Sequence, residues 1–232
     1  RLEFTRQETG LHFYWFRIDK RGGGSFRLFR QGRDTNMEAG EKWQLSVIPA
    51  DFRVPDFAPG AVMYQIFPDR FARSGSSDLT YKLQPFWVHE SPDELPEYRP
   101  DAHGEVRNND FFGGNFAGIR EKLPYLQELG VGVLYLNPIF MAWSNHRYDT
   151  ADYRRPDPML GTEEDFRALC DAAHARGMRV ILDGVFSHTG SNSVYFDAKH
   201  VFGHGAVSDP NSPYRRWYRF HHYPDDYEAW WG

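Results

Sequence analysis

Three short apolar runs, Ala61 to Phe67, Val131 to Leu136 and Arg179 to Val185, constrain this chain more than any other feature. Each is rich in β-branched or large apolar side chains, the pattern of a strand buried on both faces of a parallel sheet. Parallel strands need a crossover between them, and helical stretches precede the second and third runs. Ahead of the third, Thr162 is placed to cap the first amides. Asp165 stands three residues on in a capping-box position, and Gly177 suits a left-handed terminator. Phe166, Leu169, Cys170 and Ala173 fall on one stripe of that helix. Ahead of the second, Ile119, Leu123, Leu126 and Leu129 form another stripe, ended by Gly130. Pro124 inside it lacks a donor and predicts a kink costing about 3 kcal/mol. The order strand, helix, strand, helix, strand predicts right-handed βαβ units and an α/β fold.

Polar residues decide between a doubly wound sheet and a barrel. They gather after each run: Pro68-Asp69-Arg70 after the first, Asn137-Pro138 after the second, and Asp183 at the end of the third, before Ser187-His188. A (β/α)8 barrel builds its active face from such residues at the carboxyl ends of its strands. The rival sheet would announce itself by a glycine-rich phosphate loop. Gly113-Gly114 has no third glycine and follows no strand, and Gly22-Gly23-Gly24 lies in a β-turn region, so nucleotide binding is not expected.

From Leu2 to Pro55 the pattern differs. Strand-favouring runs such as Leu11 to Ile18 and Ser25 to Arg30 are separated by Gly22-Gly23-Gly24 and by Asn36 to Gly40, which predicts antiparallel strands and turns. Leu11, Phe13 and Trp15 point to one face at period two, but Tyr14, Phe16 and Ile18 make the other face apolar too, so both faces are expected to be covered. Residues 1–57 are read as part of a β-sandwich. Pro55-Asp56-Phe57-Ala58-Pro59-Gly60 stops strands and stiffens the connection, and the domain boundary is placed there.

A net charge of −5 supplies no field to recruit nucleic acid or an anionic membrane. With 41% hydrophobic and 25% charged residues over 232, the chain has the balance and length for one large or two small cores. Aromatic residues reach 17%, which signals large cores or flat stacking surfaces of the kind that bind sugars. A lone cysteine excludes an internal disulfide framework, and Cys170 is expected as a buried, inert thiol. No run approaches the roughly 20 apolar residues of a membrane span, and no leader is visible, which points to a cytoplasmic chain. Because the chain opens with Arg1 rather than Met, a removed leader stays an open alternative.

Five ordered motifs carry a resemblance. They are Tyr64-Gln65-Ile66-Phe67-Pro68-Asp69-Arg70-Phe71, Phe112-Gly113-Gly114, Leu134-Tyr135-Leu136-Asn137-Pro138-Ile139-Phe140, His146-Arg147-Tyr148-Asp149-Thr150-Ala151-Asp152-Tyr153 and Asp183-Gly184-Val185-Phe186-Ser187-His188. Together they resemble glycoside hydrolase family 13, the α-amylase family. The preceding β segment and the closing Trp230-Trp231-Gly232 resemble its neopullulanase, cyclomaltodextrinase and maltogenic amylase branch. The resemblance implies that residues 58–190 form the first three strands of a (β/α)8 barrel and that residues 191–232 begin its inserted domain B. Relatives in this branch dimerise by packing the N-terminal domain over a neighbour's barrel, so a homodimer is an option.

The resemblance implies α-glucan oligosaccharides as ligand and four substrate-binding residues. His188 would hydrogen-bond the sugar beside the scissile bond, and a neutral imidazole offers both a donor and an acceptor for hydroxyls. Tyr148 would stack its ring on that sugar, with His146 sharing the wall. Asp183 matches an aspartate that orients an arginine from a later Gly-Phe-Arg-x-Asp motif, which this chain lacks. Asn137 is expected to be structural, and Asp149 and Asp152 are expected to fix their loop through backbone hydrogen bonds.

The family's retaining reaction needs two carboxyl groups about 5 to 5.5 Å apart. By resemblance they stand at the ends of the fourth and fifth strands, and the residues after Gly60 fall short of the roughly 250 of a whole barrel. Asp225, Asp226 and Glu228 lie in a stretch without strand pattern and are no substitute. The expectation is therefore the N-terminal fragment of a glycosidase, inactive alone. A non-catalytic carbohydrate-binding module is the alternative, with a metal-dependent hydrolase third. The resemblance also brings calcium into question near the first βα loop. Here that loop reads Arg73-Ser74-Gly75-Ser76-Ser77-Asp78, Asn115 replaces an aspartate, and Ser187 replaces an asparagine, so affinity is expected to be low and no cofactor is predicted. His200 with His204, and His221-His222, imitate a zinc pair without a third ligand.

Overall fold

Alternating rings and polar side chains draw the first stretch into strands. The computed structural model describes residues 3–36 and 39–229, so Trp230-Trp231-Gly232 lies outside the described residues. Strands β1 (Gly10–Tyr14), β2 (Phe16–Asp19), β3 (Ser25–Gln31), β4 (Asp34–Asn36) and β5 (Trp43–Val47) form two antiparallel sheets, β1-β5 and β2-β3-β4. The chain passes from one sheet to the other at Trp15. Around that crossing the Tyr14 and Trp43 rings stack at 6.0 Å, and Phe16 meets Trp43 edge-on at 5.3 Å. The β2–β3 turn places Gly23 and Gly24 at φ 93° and 84°, which a side chain would resist.

Only one face of this first stretch is covered. His12, Tyr14 and Phe16 are half-buried, whereas Leu11 and Phe13 are more than half exposed. The expectation of two covered faces is corrected. The reason is that β1 and β2 belong to different small sheets, so their second apolar row has no layer to meet. Trp15 gains partial cover from Lys42 and Arg27, 5.2 and 5.7 Å from its ring.

The chain divides after Asp56 into two units. The second begins with β6 (Val62–Ile66), α1 (Pro68–Phe71), β7 (Trp87–Val88) and β8 (Asp110–Phe111), followed by α2 (Phe116–Glu121), α3 (Leu123–Glu128) and β9 (Val131–Leu136). It continues through β10 (Phe140–Ala142), β11 (Thr150–Pro156), α4 (Glu163–His174) and β12 (Arg179–Leu182). The three apolar runs pair in parallel in the order β12-β9-β6, with Leu136 opposite both Ile66 and Leu182. Their core side chains Ile66, Leu134 and Leu136 pack with Phe116, Ile119, Leu123 and Leu126 of α2 and α3 and with Leu169 and Ala173 of α4. Each such burial is worth about 1.5–3 kcal/mol.

Pro124 divides the predicted kinked helix into two short ones. It sits in the first turn of α3, where a missing N–H costs nothing, and Lys122 joins the two pieces. In α4 the capping box is complete. Thr162 Oγ1 accepts from Asp165 N at 3.2 Å, Asp165 Oδ2 accepts from Thr162 N at 2.9 Å, and Gly177 ends the turn at φ 76°. Cys170 is half-buried rather than buried, and desolvation raises its thiol pKa.

After β12 the chain is mostly loop, with a 3-10 turn at Pro213–Trp217 and the hairpin β13 (Phe220–His222) and β14 (Asp226–Tyr227). The buried Asp197 carboxylate organises it by accepting from the amides of Val201, Phe202 and Gly203. Phe196, Tyr218, Phe220 and Tyr227 form its apolar centre. No helix among the described residues is long and apolar enough to cross a membrane.

Candidate functional site

The site is built where β9 and β12 end side by side. Asp183 N donates to Leu136 O at 2.9 Å, one residue past the last strand pair. The carboxylate is thus carried at the sheet's carboxyl end, and the chain then turns at Gly184. From the neighbouring loop comes the segment His146–Asp149, whose fold depends on a buried arginine. Arg147 adopts φ 62°, and its side chain is fully enclosed, with Nη1 donating to Asn145 O at 2.7 Å. Asp149 accepts from Trp143 N and Ser144 N and from the Ser144 hydroxyl, so it fixes the loop from within. With residues 147 and 149 anchored, Tyr148 is left at the surface.

Four predicted residues, His146, Tyr148, Asp183 and His188, line one cleft of about 510 Å³. Tyr148 Oη donates to Asp183 Oδ2 at 2.8 Å. His188 Nε2 donates to Tyr148 O at 3.1 Å, and its Nδ1 lies 3.0 Å from Ser187 Oγ. Tyr148 N donates to His146 Nδ1 at 3.1 Å, and the two rings lie 5.9 Å apart. Partial burial and the bond to Asp183 push the Tyr148 phenol up to about 12, so it remains a donor at every ordinary pH. Tyr135, on β9, is raised by desolvation and by the same carboxylate. Burial lowers the pKa of His146, and Arg147 adds to this against the opposing charge of Asp149.

Asp183 therefore has a phenol as its partner here. The structural residues behave as their chemistry dictates. Asn137 Oδ1 accepts from Gln65 Nε2 at 2.8 Å, bridging the ends of β6 and β9. Asp152 accepts from Arg154 N and from the Arg154 and Arg155 guanidinium groups.

Gly184, Val185 and Ser187 also line the cleft, and Tyr153 supports it from behind, its hydroxyl reaching the carbonyls of Val185 and His188. Sequence reasoning missed Tyr153 as a strut. Its place two residues after Ala151 on β11 marks a side, but not which loop it meets.

The residues of the first βα loop do not fit a calcium ion. Asn115 Oδ1 already accepts from Ser74 N and Gly118 N, and its Nδ2 donates to Ser74 O. Asp78 is taken by Thr80, and the Arg73 side chain packs over Gly113. Hard-cation binding needs several free oxygens, and here a cationic side chain and N–H donors stand in their place. The Ser187 hydroxyl is likewise engaged by His188. Among the described residues no cluster of three or more His, Cys, Asp or Glu is arranged for a metal.

A ring face, a carboxylate and two imidazoles in one open cleft suit a polyhydroxylated ring. Asp183 is the one carboxylate among the described residues lining it. The family model described as "Alpha amylase, catalytic domain" matches residues 65–229. An amylopullulanase of Thermoanaerobacter thermohydrosulfuricus is 42% identical over 91% of this chain and 16% of its own length. An intracellular maltogenic amylase of Bacillus subtilis (strain 168) is 42% identical over 76% of this chain and 27% of its own length. Among solved structures, the type III pullulan hydrolase from Thermococcus kodakarensis superposes with a TM-score of 0.61 at 30% identity, covering 96% of this chain and 38% of that one. The chain thus spans less than a third of the curated relatives it matches. The structural neighbours are (β/α)8 enzymes of one family, and the sequence match runs through every element that builds the cleft: the chain belongs to the α-amylase family of glycoside hydrolases.

Proposed function

We propose that this chain forms the glucose-binding wall of an α-glucan-acting glycosidase. In this reading β6, β9 and β12 are the first three strands of a (β/α)8 barrel. The loops after residue 190 begin an inserted domain, and residues 1–57 are part of a β-sandwich. The observation that carries it is the convergence of His146, Tyr148, Asp183 and His188 on one cleft at the carboxyl end of the parallel sheet. The Tyr148 ring covers the C–H face of a pyranose, and Asp183 holds that ring through its hydroxyl. The whole protein would hydrolyse α-glucosidic bonds of α-glucans or cyclodextrins with retention, using nucleophile and acid/base carboxyls on other strand ends about 5 to 5.5 Å apart.

The test is calorimetric titration of this chain with maltotriose. Binding is expected, with at least a tenfold loss in Tyr148→Ala, and no hydrolysis of maltotriose above the buffer rate. Binding unchanged in Tyr148→Ala would overturn the assignment of the cleft. The exposed Leu11 and Phe13 favour a second reading, a carbohydrate-binding module on the N-terminal strands. Under it, binding survives Tyr148→Ala and His188→Ala and is lost when the residues before Pro55 are removed.

A further inference from the structure

The loop that presents Tyr148 is stapled at its base by charges taken wholly out of water. Lys82, on the stretch between α1 and β7, and Asp157, which follows β11, have fully buried side chains. Lys82 Nζ donates to Asp157 Oδ2 at 2.8 Å and to Ala142 O, at the end of β10, at 2.6 Å. The Asp157 carboxylate also accepts from Ala142 N at 3.3 Å and from Met159 N at 2.9 Å. Arg147 reaches the same carboxylate from inside the loop, with Nε 3.6 Å from Asp157 Oδ2. Phe111 closes the cluster, its ring 4.5 Å from Lys82 Nζ and 5.5 Å from the Arg147 guanidinium carbon.

Charge accounting shows what holds the arginine. Two buried cations share the carboxylate of Asp157. Burial lowers the pKa of Lys82, the charge of Asp157 opposes this, and Arg147 adds to it. Arg147 donates from Nη1 to Asn145 O, and its Nε and Nη2 meet no acceptor at hydrogen-bond distance among the described residues. A guanidinium with five N–H donors is thus fixed chiefly by Coulomb attraction to Asp157. Its backbone stands at φ 62°, where a residue with a Cβ stays only if its surroundings impose it. The sense of that turn sets where the next side chain emerges, and there Tyr148 Oη meets Asp183 Oδ2 at 2.8 Å. A buried ion pair adds little net stability over apolar side chains of the same volume, so stability alone does not account for the cluster.

We propose that Asp157, oriented by Lys82, is a positioning residue for Tyr148: it holds the Arg147 side chain inside, fixes the left-handed turn, and so sets the Tyr148 ring against Asp183. Its effect on sugar binding rests on the reading of the cleft as a glucose site. Its effect on the bond between Tyr148 and Asp183 does not.

The test compares the full chain with two variants. Asp157→Asn alone would leave two buried cations uncompensated, so Lys82→Met with Asp157→Asn removes one charge of each sign and keeps the net buried charge. Arg147→Gly accepts the left-handed backbone but lacks the anchor. Spectra of protein carrying ¹³C at the tyrosine Cζ, assigned with Tyr148→Phe, follow the Tyr148 phenol from about pH 7.5 to about pH 10.5, a range in which an ordinary tyrosine titrates. In the parent the resonance is expected to stay unmoved, because burial and the bond to Asp183 push the phenol up to about 12. In both variants it is expected to titrate near the ordinary value of about 10, with maltotriose binding about tenfold weaker. A Tyr148 resonance that stays unmoved in a folded variant, whatever its Tm, overturns the proposal and leaves a cluster that serves the core alone. A parent Tyr148 that titrates near the ordinary value overturns it too. If the double variant lacks the dispersed amide spectrum of a folded chain, Arg147→Gly decides by the same criterion. No binding by the parent, or binding unchanged in a variant whose Tyr148 titrates, sinks the cleft reading, and the spectra still decide the positioning role.

Discussion

His89 is the residue whose surroundings say most about pH. Its ring lies between Trp87 and Phe112, with centroids 4.2 and 4.0 Å away. Nδ1 is 2.9 Å from Glu94 Oε2 and Nε2 is 3.0 Å from Asp110 Oδ2. Burial works against a charged imidazole, but the two carboxylates outweigh it and raise the pKa above 6.5. Glu94 is lowered, first by its bond to His89. For Asp110 desolvation pushes upward, but the bonds from His89 and Glu97 N outweigh it and the net shift is downward. A raised histidine stabilises fully below its unfolded value of about 6.5, and this contribution is lost as pH rises through the folded value. The lowered carboxylates stabilise above their unfolded values of 4.5 and 3.8 and lose this as pH falls through the folded ones. Thermal melts should therefore show this loop holding best between about pH 4.5 and 6.5, with Tm declining on the alkaline side. His89→Gln should flatten that alkaline decline. An identical slope in the variant would falsify the assignment of the decline to this triad.

At the scale of elements, caps and close approaches carry the testable energies. Thr162→Ala removes one side of the α4 capping box and should cost about 1 kcal/mol, lowering Tm by about 2–4 °C. Thr162→Ser should restore most of it, and a Tm equal to the parent in Thr162→Ala would show the cap to be idle. Asn115 caps α2 and also ties the 73–78 loop through both amide atoms, so the element is expected to stand without a metal. Millimolar calcium or EDTA should leave the Tm unchanged, and a rise with calcium would overturn that reading. These local devices were legible because each is written in adjacent residues: Thr162 with Asp165, Gly130 and Gly177 as stops, and the apolar stripes of the helices. The motif around Tyr148 named its residues for the same reason. What could not be read was where the chain crosses itself. The left-handed Arg147, the reach of Tyr153 to the 185–188 loop, and the engagement of His188 by a carbonyl forty residues away depend on tertiary placement. The passage between sheets at Trp15 escaped notice because a period-two pattern continues through it unbroken.

At the scale of the molecule, the parallel sheet sets the remaining behaviour. Both β6 and β12 pair with β9 and with no other strand among the described residues, which leaves two rows of backbone donors and acceptors at the sheet's margins. Val62 and Met63, on β6, are more than half exposed, and Phe186, just past β12, is 81% exposed. Such an edge with apolar neighbours is a template for pairing with another chain. A chain of this length in isolation should therefore associate as its concentration rises, and light scattering coupled to size-exclusion chromatography reads this directly. Met63→Lys places a charge on the exposed side of the β6 edge without entering the core. It should reduce the associated fraction while leaving the far-ultraviolet circular dichroism unchanged. Association undiminished in Met63→Lys, but abolished by removing the residues before Pro55, would move the contact from this margin to the N-terminal strands. A parent chain that stays monomeric at every concentration would mean that the margin of β6 is protected in solution.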